Sequence, residues 1–200
     1  MLTLEEGTFL VKTARRVIEA HIRGKRPPSV KNVSEELKKP RGVFVTLTKH
    51  GELRGCIGHP MPTMPLIDAL VDSAISSATR DPRFPPLEVS ELDKILVEVS
   101  VLTEPKPIEV DDPREYPGAI VVGRDGLIVE YGGHAGLLLP QVAVEWKWDA
   151  EEFLSHACMK AGLMPDAWLD RGIRISRFSA QVFSERTPGG KVEERGFEER

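Results

Sequence analysis

A cysteine framed by glycines, in Leu53-Arg54-Gly55-Cys56-Ile57-Gly58, is the feature of this chain best suited to do chemistry. The thiolate form of cysteine is a nucleophile and a redox group, and neighbouring cations lower the pKa at which it forms. If the segment is a regular strand, Arg54 and Cys56 share one face while Leu53, Gly55 and Ile57 share the other, so a guanidinium stands beside the thiol. Arg54, together with the nearby His59, is therefore expected to acidify Cys56, the candidate nucleophile or redox thiol. Strand interiors tolerate glycine poorly, and Gly55 and Gly58 accordingly mark a bulge or the close approach of a ligand or another backbone. The plainer alternative is a small buried cysteine between turn glycines, with no chemistry of its own.

Two other segments offer anion binding. Arg80-Asp81-Pro82-Arg83-Phe84 sets two guanidiniums, Arg80 and Arg83, and a carboxylate in a stiff turn after a helix, and arginine forks hold carboxylate or phosphate at two points. The same groups can equally satisfy the loose carbonyls and amides of a helix end, with Phe84 plugging the core. Gly132-Gly133-His134-Ala135-Gly136 reads as a flexible loop whose N–H groups could cradle an anion, with Gly133, His134 and Gly136 as candidate contacts. It lacks the lysine and hydroxyl of a nucleotide P-loop and the pattern of a dinucleotide fingerprint. Cys56, His59 and His134 can be imagined around a metal ion, but no paired ligand motif supports one, and neither a metal nor a cofactor is expected. Trp146 and Trp148 alternate with Glu145 and Lys147; without a basic groove they are expected to be core or interface aromatics rather than a nucleobase platform.

The elements that must position these residues are legible in hydrophobic period and punctuation. Thr3 with Glu6 forms a capping box, and Leu10, Val11, Ala14, Val17 and Ile18 recur at helical spacing, so a helix is predicted from about Leu4 to Arg23. Gly24 to Pro28 breaks it, and the polar stretch Ser29 to Arg41 has room for a short turn near Ser34 to Leu37. Val43 to Thr48 and Leu53 to Ile57 read as a hairpin, Thr63 to Arg80 as a helix, and Ile95 to Leu102 as a strand with one face more buried than the other. A second hairpin is predicted over Ala119 to Val122 and Leu127 to Tyr131, turning at Arg124-Asp125-Gly126. Asp149 with Glu152 opens another helix that ends at Gly162, and Ser179 to Ser184 is a last strand. The charged tail from Arg186 to Arg200 is expected to fray unless it docks. Hairpins and isolated strands separated by helices, without regular βαβ alternation, argue for an α+β fold with a mainly antiparallel sheet. The two hairpin-then-helix stretches, Val43 to Arg80 and Ala119 to Ala161, hint at an internal duplication.

Composition bounds the function classes. The 200 residues, 40% hydrophobic and 29% charged, lie in the globular range and suit one core or two closely packed lobes. With 27 Lys+Arg against 31 Asp+Glu, no global basic surface recommends nucleic acid. No apolar run approaches the roughly 20 residues of a membrane helix, and the acidic start, MLTLEEGTFL, is unlike a secretory leader. A cytoplasmic protein with reduced Cys56 and Cys158 is expected. One Asn, two Gln and 16 prolines match a hyperthermophilic bias.

Leu53 to Gly58, together with Asp81 to Leu87 (DPRFPPL), Val97 to Ile108 (VEVSVLTEPKPI), Asp125 to Trp146 (DGLIVEYGGHAGLLLPQVAVEW) and Phe153 to Leu163 (FLSHACMKAGL), resembles the AMMECR family, in the family's order and over nearly the whole chain, Thr3 to about Glu185. The resemblance implies a single α+β domain, residues 1–185, of two lobes with helices on an antiparallel sheet and a cleft that LRGCIG helps to form. It implies no established reaction. Prokaryotic relatives occur in association with Memo-like and radical-SAM proteins, which suggests a shared pathway. His59 departs from the small hydroxylated or variable residue expected in many relatives, so a Cys56–His59 dyad is not carried over, and Arg54 and Cys56 are the residues kept.

The residues leave two function classes. In the first, a small enzyme or enzyme accessory gathers Arg54, Cys56, Arg80, Arg83 and the Gly132 to Gly136 loop around a small anionic ligand. In the second, a non-catalytic adaptor binds a protein partner, LRGCIG is a structural turn, and the proline-rich loops form the contact surface. Whether the protein is catalytic is left open by the residues.

Overall fold

The structure is a computed structural model that describes residues 1–27, 30 and 33–195. Its elements are α1 (Leu4–Ile22), β1 (Val43–Lys49), β2 (Glu52–His59), α2 (Leu66–Thr79), β3 (Ile95–Leu102), β4 (Lys106–Pro107), β5 (Gly126–Tyr131), β6 (His134–Leu138), α3 (Pro140–Trp146), α4 (Ala150–Lys160), β7 (Arg174–Phe178), β8 (Ala180–Glu185) and β9 (Val192–Arg195). The fold is mixed α+β with two open antiparallel sheets. It divides into two compact units: Met1–Leu102 joined by Gln181 to the end of β9, and Thr103–Ala180.

In the first unit, strands run in the order β2-β1-β3-β8-β9, so β2 is an edge. The capping box that opens α1 forms as predicted, with Glu6 N donating to Thr3 Oγ1 at 3.2 Å and Thr3 N to Glu6 Oε2 at 2.9 Å. Leu10, Val11, Ala14, Val17 and Ile18 of α1 are buried with Leu66, Leu70 and Ala74 of α2, with Val43, Val45 and Leu47 of β1, and with Val97 and Val99 of β3. The alternate residues of β1 and β3, among them Thr46 and Glu98, lie on the opposite face of the sheet. His50 and Gly51, both at positive φ, form the two-residue turn of the β1–β2 hairpin.

In the second unit, strands run in the order β4-β7-β5-β6, and β6 is an edge. Leu127, Val129, Phe153, Leu154, Ala157, Cys158 and Ile175 form its core. Here the structure corrects the expected hairpin: Pro113–Ala119 is a 3₁₀ helix, and Ala119 to Val122 is not a strand. Asp125 accepts a hydrogen bond from Val121 N at 2.9 Å and pairs with Arg124, so the Asp-Gly sequence closes an irregular loop instead of a hairpin turn. The hairpin is β5–β6, turning at Gly132-Gly133, both with positive φ.

Part of the tail meets the condition under which it is not expected to fray. Val192–Arg195 pairs with β8 as β9, and Val192 is buried, which supplies the docking that an isolated charged tail lacks. The remainder of that tail, 196–200, lies outside the described residues, as does Pro28 of the break after α1. No helix among the described residues is long and apolar enough to cross a membrane.

Candidate functional site

The glycine of LRGCIG that matters most is Gly55. A Cβ there would fall far inside contact distance of the Ser77 carbonyl oxygen, so only glycine lets the last turn of α2 lie against the edge strand. Ser77 fastens that approach: its hydroxyl accepts from Ile57 N at 3.0 Å and lies 2.7 Å from the carbonyl oxygens of Val45 and Ser73. Gly58 is required by the neighbouring strand, because a Cβ would strike the Val43 carbonyl and the Phe44 ring. Both glycines thus have steric reasons within the unit.

Arg54 is the extra residue of a bulge: Leu47 pairs with Gly55 and Thr48 with Leu53, leaving Arg54 unpaired. Its side chain is aimed away from an anion site and into the loop after α2. Nε and Nη2 grip the two oxygens of Glu91 at 3.0 and 2.9 Å, while Nη1 donates to Pro85 O at 2.9 Å. The guanidinium is almost fully engaged and only 13% exposed. Arg54 with Lys49, also on Glu91 at 2.7 Å, pushes that carboxyl down to about 2.

Cys56 is held by its main chain. Its N–H donates to Asp81 Oδ2 at 2.8 Å and its carbonyl accepts from Arg83 Nη2 at 3.3 Å. Arg83 in turn forks onto Asp81, Nε to Oδ1 at 2.9 Å and Nη2 to Oδ2 at 2.7 Å, which holds the Asp81 carboxyl well below the usual carboxylate range. The Asp81–Arg83 pair therefore closes the hydrogen-bonding edge that β2 would otherwise expose at Cys56. The thiol is half-buried and accepts from Thr46 Oγ1 at 3.4 Å. Burial pushes its pKa up, and the nearby Asp81 and Glu98 carboxyls add to the rise against the help of Thr46 and Arg83. The expected acidified thiol is thus corrected: Arg54 spends its charge on Glu91, and His59 Nε2 lies 2.9 Å from Asp72 Oδ2.

Of the remaining candidates, Arg80 is 63% exposed and sits 3.5 Å from Asp72. Gly133, His134 and Gly136 belong to the second unit, and the flexible cradle expected there is a tight turn that leads into β6. Gly136 repeats the Gly55 device, since a Cβ would collide with the backbone of Ala161 at the end of α4. His134 and Tyr131 flank the turn and line a shallow pocket with Glu130 and Arg174. No group of three His, Cys, Asp or Glu among the described residues is arranged to hold a metal ion.

Sequence reasoning missed Thr46, Glu91 and Glu98. Thr46 pairs with Cys56 on one side and Glu98 on the other, placing the three in one row across the sheet. Burial raises the Glu98 pKa, and Arg195 of β9, 3.3 Å away, opposes that rise. The signal for Thr46 and Glu98 was present, as polar residues at alternate positions of two apolar strands. Glu91 gave none, because its partner is brought to it by a bulge.

The AMMECR1 family model matches residues 11–183. The chain is 55% identical to Protein MJ0810 of Methanocaldococcus jannaschii over 197 residues, covering 98% of each chain. It is 58% identical to a protein of Methanothermobacter thermautotrophicus over 185 residues, covering 92% of this chain and 96% of the other. Among solved structures it is similar to the crystal structure of the uncharacterized protein PH0010 from Pyrococcus horikoshii, with a TM-score of 0.84 and 51% identity, covering 96% of this chain and 97% of that one.

Proposed function

The chain belongs to the AMMECR1 family, and from that premise we propose that its five-stranded unit binds a small anionic ligand beside β2, with Arg83 supplying the positive charge and Cys56 a neutral thiol contact. The observation that supports this is the state of Arg83. Its Nε and Nη2 are anchored while Nη1 has no partner among the described residues, and the side chain is 53% exposed. A guanidinium already oriented by a carboxylate loses little freedom when it takes an oxygen of a carboxylate or phosphate. Arg54, Gly55 and Gly58 serve as the frame of this site. The ligand class is a small carboxylate or phosphate, and the acidic composition disfavours nucleic acid. The protein's two unpaired thiols suit a reducing compartment, which supports a cytosolic protein.

Protection of Cys56 from iodoacetamide tests the proposal. Succinate or inorganic phosphate at millimolar concentration is expected to slow labelling of Cys56 severalfold, to leave Cys158 unchanged, and to lose its effect in Arg83→Gln. Labelling of Cys56 that no anion alters, or that is protected equally in Arg83→Gln, overturns it. The second reading, an adaptor in which LRGCIG is structural, is favoured by the saturation of Arg54 and by the steric reasons for both glycines.

A further inference from the structure

The second unit carries a ladder of three flat rings at its surface. Lys147, at the end of α3, adopts the left-handed conformation that side-chain-bearing residues rarely take, with φ 57. The reversal it imposes brings Trp146 and Trp148, two residues apart, into a stack with ring centroids 6.1 Å apart and planes 16° from parallel. Trp148 stacks in turn on His156 of α4, centroids 3.7 Å apart and planes 6° from parallel. The inner ring is carried by a helix whose start is fastened by a capping box, Glu152 N donating to Asp149 Oδ1 at 2.9 Å and Asp149 N to Glu152 Oε2 at 3.0 Å. The outermost ring, Trp146, is 68% exposed, and Val144, two residues before it, is 41% exposed.

A rigid tryptophan face left in water is unusual for a structural aromatic, which gains by burial. Among the described residues no guanidinium or ammonium lies over it: the arginines found over a ring are Arg54 and Arg83, both on Phe84. The charge along this surface segment is negative. Glu145, Asp149, Glu151 and Glu152 are all exposed, with Lys147 the single lysine or arginine between Trp146 and Glu152. An exposed electron-rich ring face in a segment of exposed carboxylates attracts a cation, and the guanidinium of arginine satisfies both demands, since it stacks flat on indole while pairing with a carboxylate. The same carboxylates repel the phosphates of a nucleic acid.

We propose that the Trp146–Trp148–His156 ladder is a docking surface for an arginine-bearing extended segment of a partner protein, the guanidinium lying on Trp146 and pairing with the exposed Glu145 or Glu151. The surface is independent of the Arg83 site, and neither depends on the other.

The experiment is a titration of the full-length protein, with the tryptophan indole N–H signals followed by NMR and tryptophan fluorescence read in parallel. The probes are a blocked Gly-Arg-Gly-Arg-Gly peptide, its lysine counterpart, and oligo-dT. The arginine peptide is expected to shift the Trp146 signal and leave that of the buried Trp168 unmoved, and to bind more tightly than the lysine peptide, while oligo-dT has no effect. Trp146→Ala should weaken binding about fivefold, with Trp146→Phe recovering part of the loss. Glu145→Gln combined with Glu151→Gln should weaken it further and flatten its salt dependence. Trp146 is exposed, so these variants are expected to fold, and an unchanged far-UV spectrum checks this. Equal binding to Trp146→Ala and the unaltered protein, no movement of the Trp146 signal with either peptide, or movement with oligo-dT alone would each overturn the proposal.

Discussion

The two units place the same device at the edge of different sheets. In one, the hairpin β1–β2 is followed by α2, and Gly55 of the edge strand admits the last turn of that helix; in the other, β5–β6 is followed by α3 and α4, and Gly136 admits the end of α4. The units differ in the segment that leaves the helix. After α2 the chain continues Arg80-Asp81-Pro82-Arg83, and Asp81 and Arg83 return to cap the main chain of Cys56. After α4 it turns at Gly162, with φ 77, and no side chain among the described residues bonds to the main chain of β6. A shared scaffold thus presents a capped, cysteine-bearing edge in one unit because of a seven-residue loop, DPRFPPL, and not because of the hairpin itself.

The largest effects should come from the shared part. Gly55→Ala and Gly136→Ala each push a Cβ into helix backbone that has no flexible end to move, and each is expected to cost about 2–4 kcal/mol in urea unfolding. A loss below about 0.5 kcal/mol at either position would show that the two edges are not built alike.

How far the comparison was legible in the sequence differs between the units. The first hairpin, α2 and β3 follow from alternation and helical period alone, because each buries one face against a single core. In the second unit the Asp125-Gly126 pair drew the hairpin turn one strand too early. A side chain that bonds the main chain of Val121 resembles turn chemistry locally, and only the pairing partner of β5 distinguishes the two cases. The chain's most suggestive residue, Cys56, was easy to find, but its environment was not. A bulge redirects Arg54, and the length of the loop after α2 brings Glu91 to it, neither of which is written in residue spacing.

Next in size is the contrast between two arginine–carboxylate pairs, one in each unit. Arg54→Ala leaves Glu91 with half its partners in a site that is 11% exposed, a loss expected to cost about 2 kcal/mol or more. Arg174→Ala, on an exposed pair with Glu130 at 3.5 Å, should fall within about 0.5 kcal/mol. Equal losses would mean that the Arg54 network is a surface ornament.

Acid should separate the units more gently. The Glu91 carboxyl is held near about 2 when folded against an ordinary 4.5, so its contribution to stability is complete above 4.5 and disappears as pH falls through about 2. Asp81, also depressed, acts in the same direction. Between pH 4.5 and 2, hydrogen exchange should therefore show β2 and α2 losing protection before β5 and β6, and Glu91→Gln should remove much of that pH dependence while lowering stability at neutral pH. Burial raises the Asp125 pKa, but Arg124 and the Val121 amide together outweigh it and leave the carboxyl depressed as well, so the second unit should respond too, though less.

The smallest effect concerns the thiols, one in each unit. Both are pushed above the ordinary value by burial, Cys158 up to about 11, yet they differ in access: Cys158 is fully buried and Cys56 half-buried. Alkylation of Cys56 in the folded protein should rise with pH along a curve whose midpoint lies above the free-thiol value of about 8.5, because the reactive species is the thiolate and its population is what burial suppresses. Cys158 should react only as the chain unfolds. Cys56→Ser keeps an acceptor for Thr46 at similar size and is expected to change stability by less than about 0.5 kcal/mol. A midpoint below about 8.5 at Cys56 would reverse that balance, since it would require the positive end of Arg83 to outweigh burial together with Asp81 and Glu98. The thiol would then be a nucleophile held ready at the edge of β2, and the resemblance between the two units would end at their scaffolds.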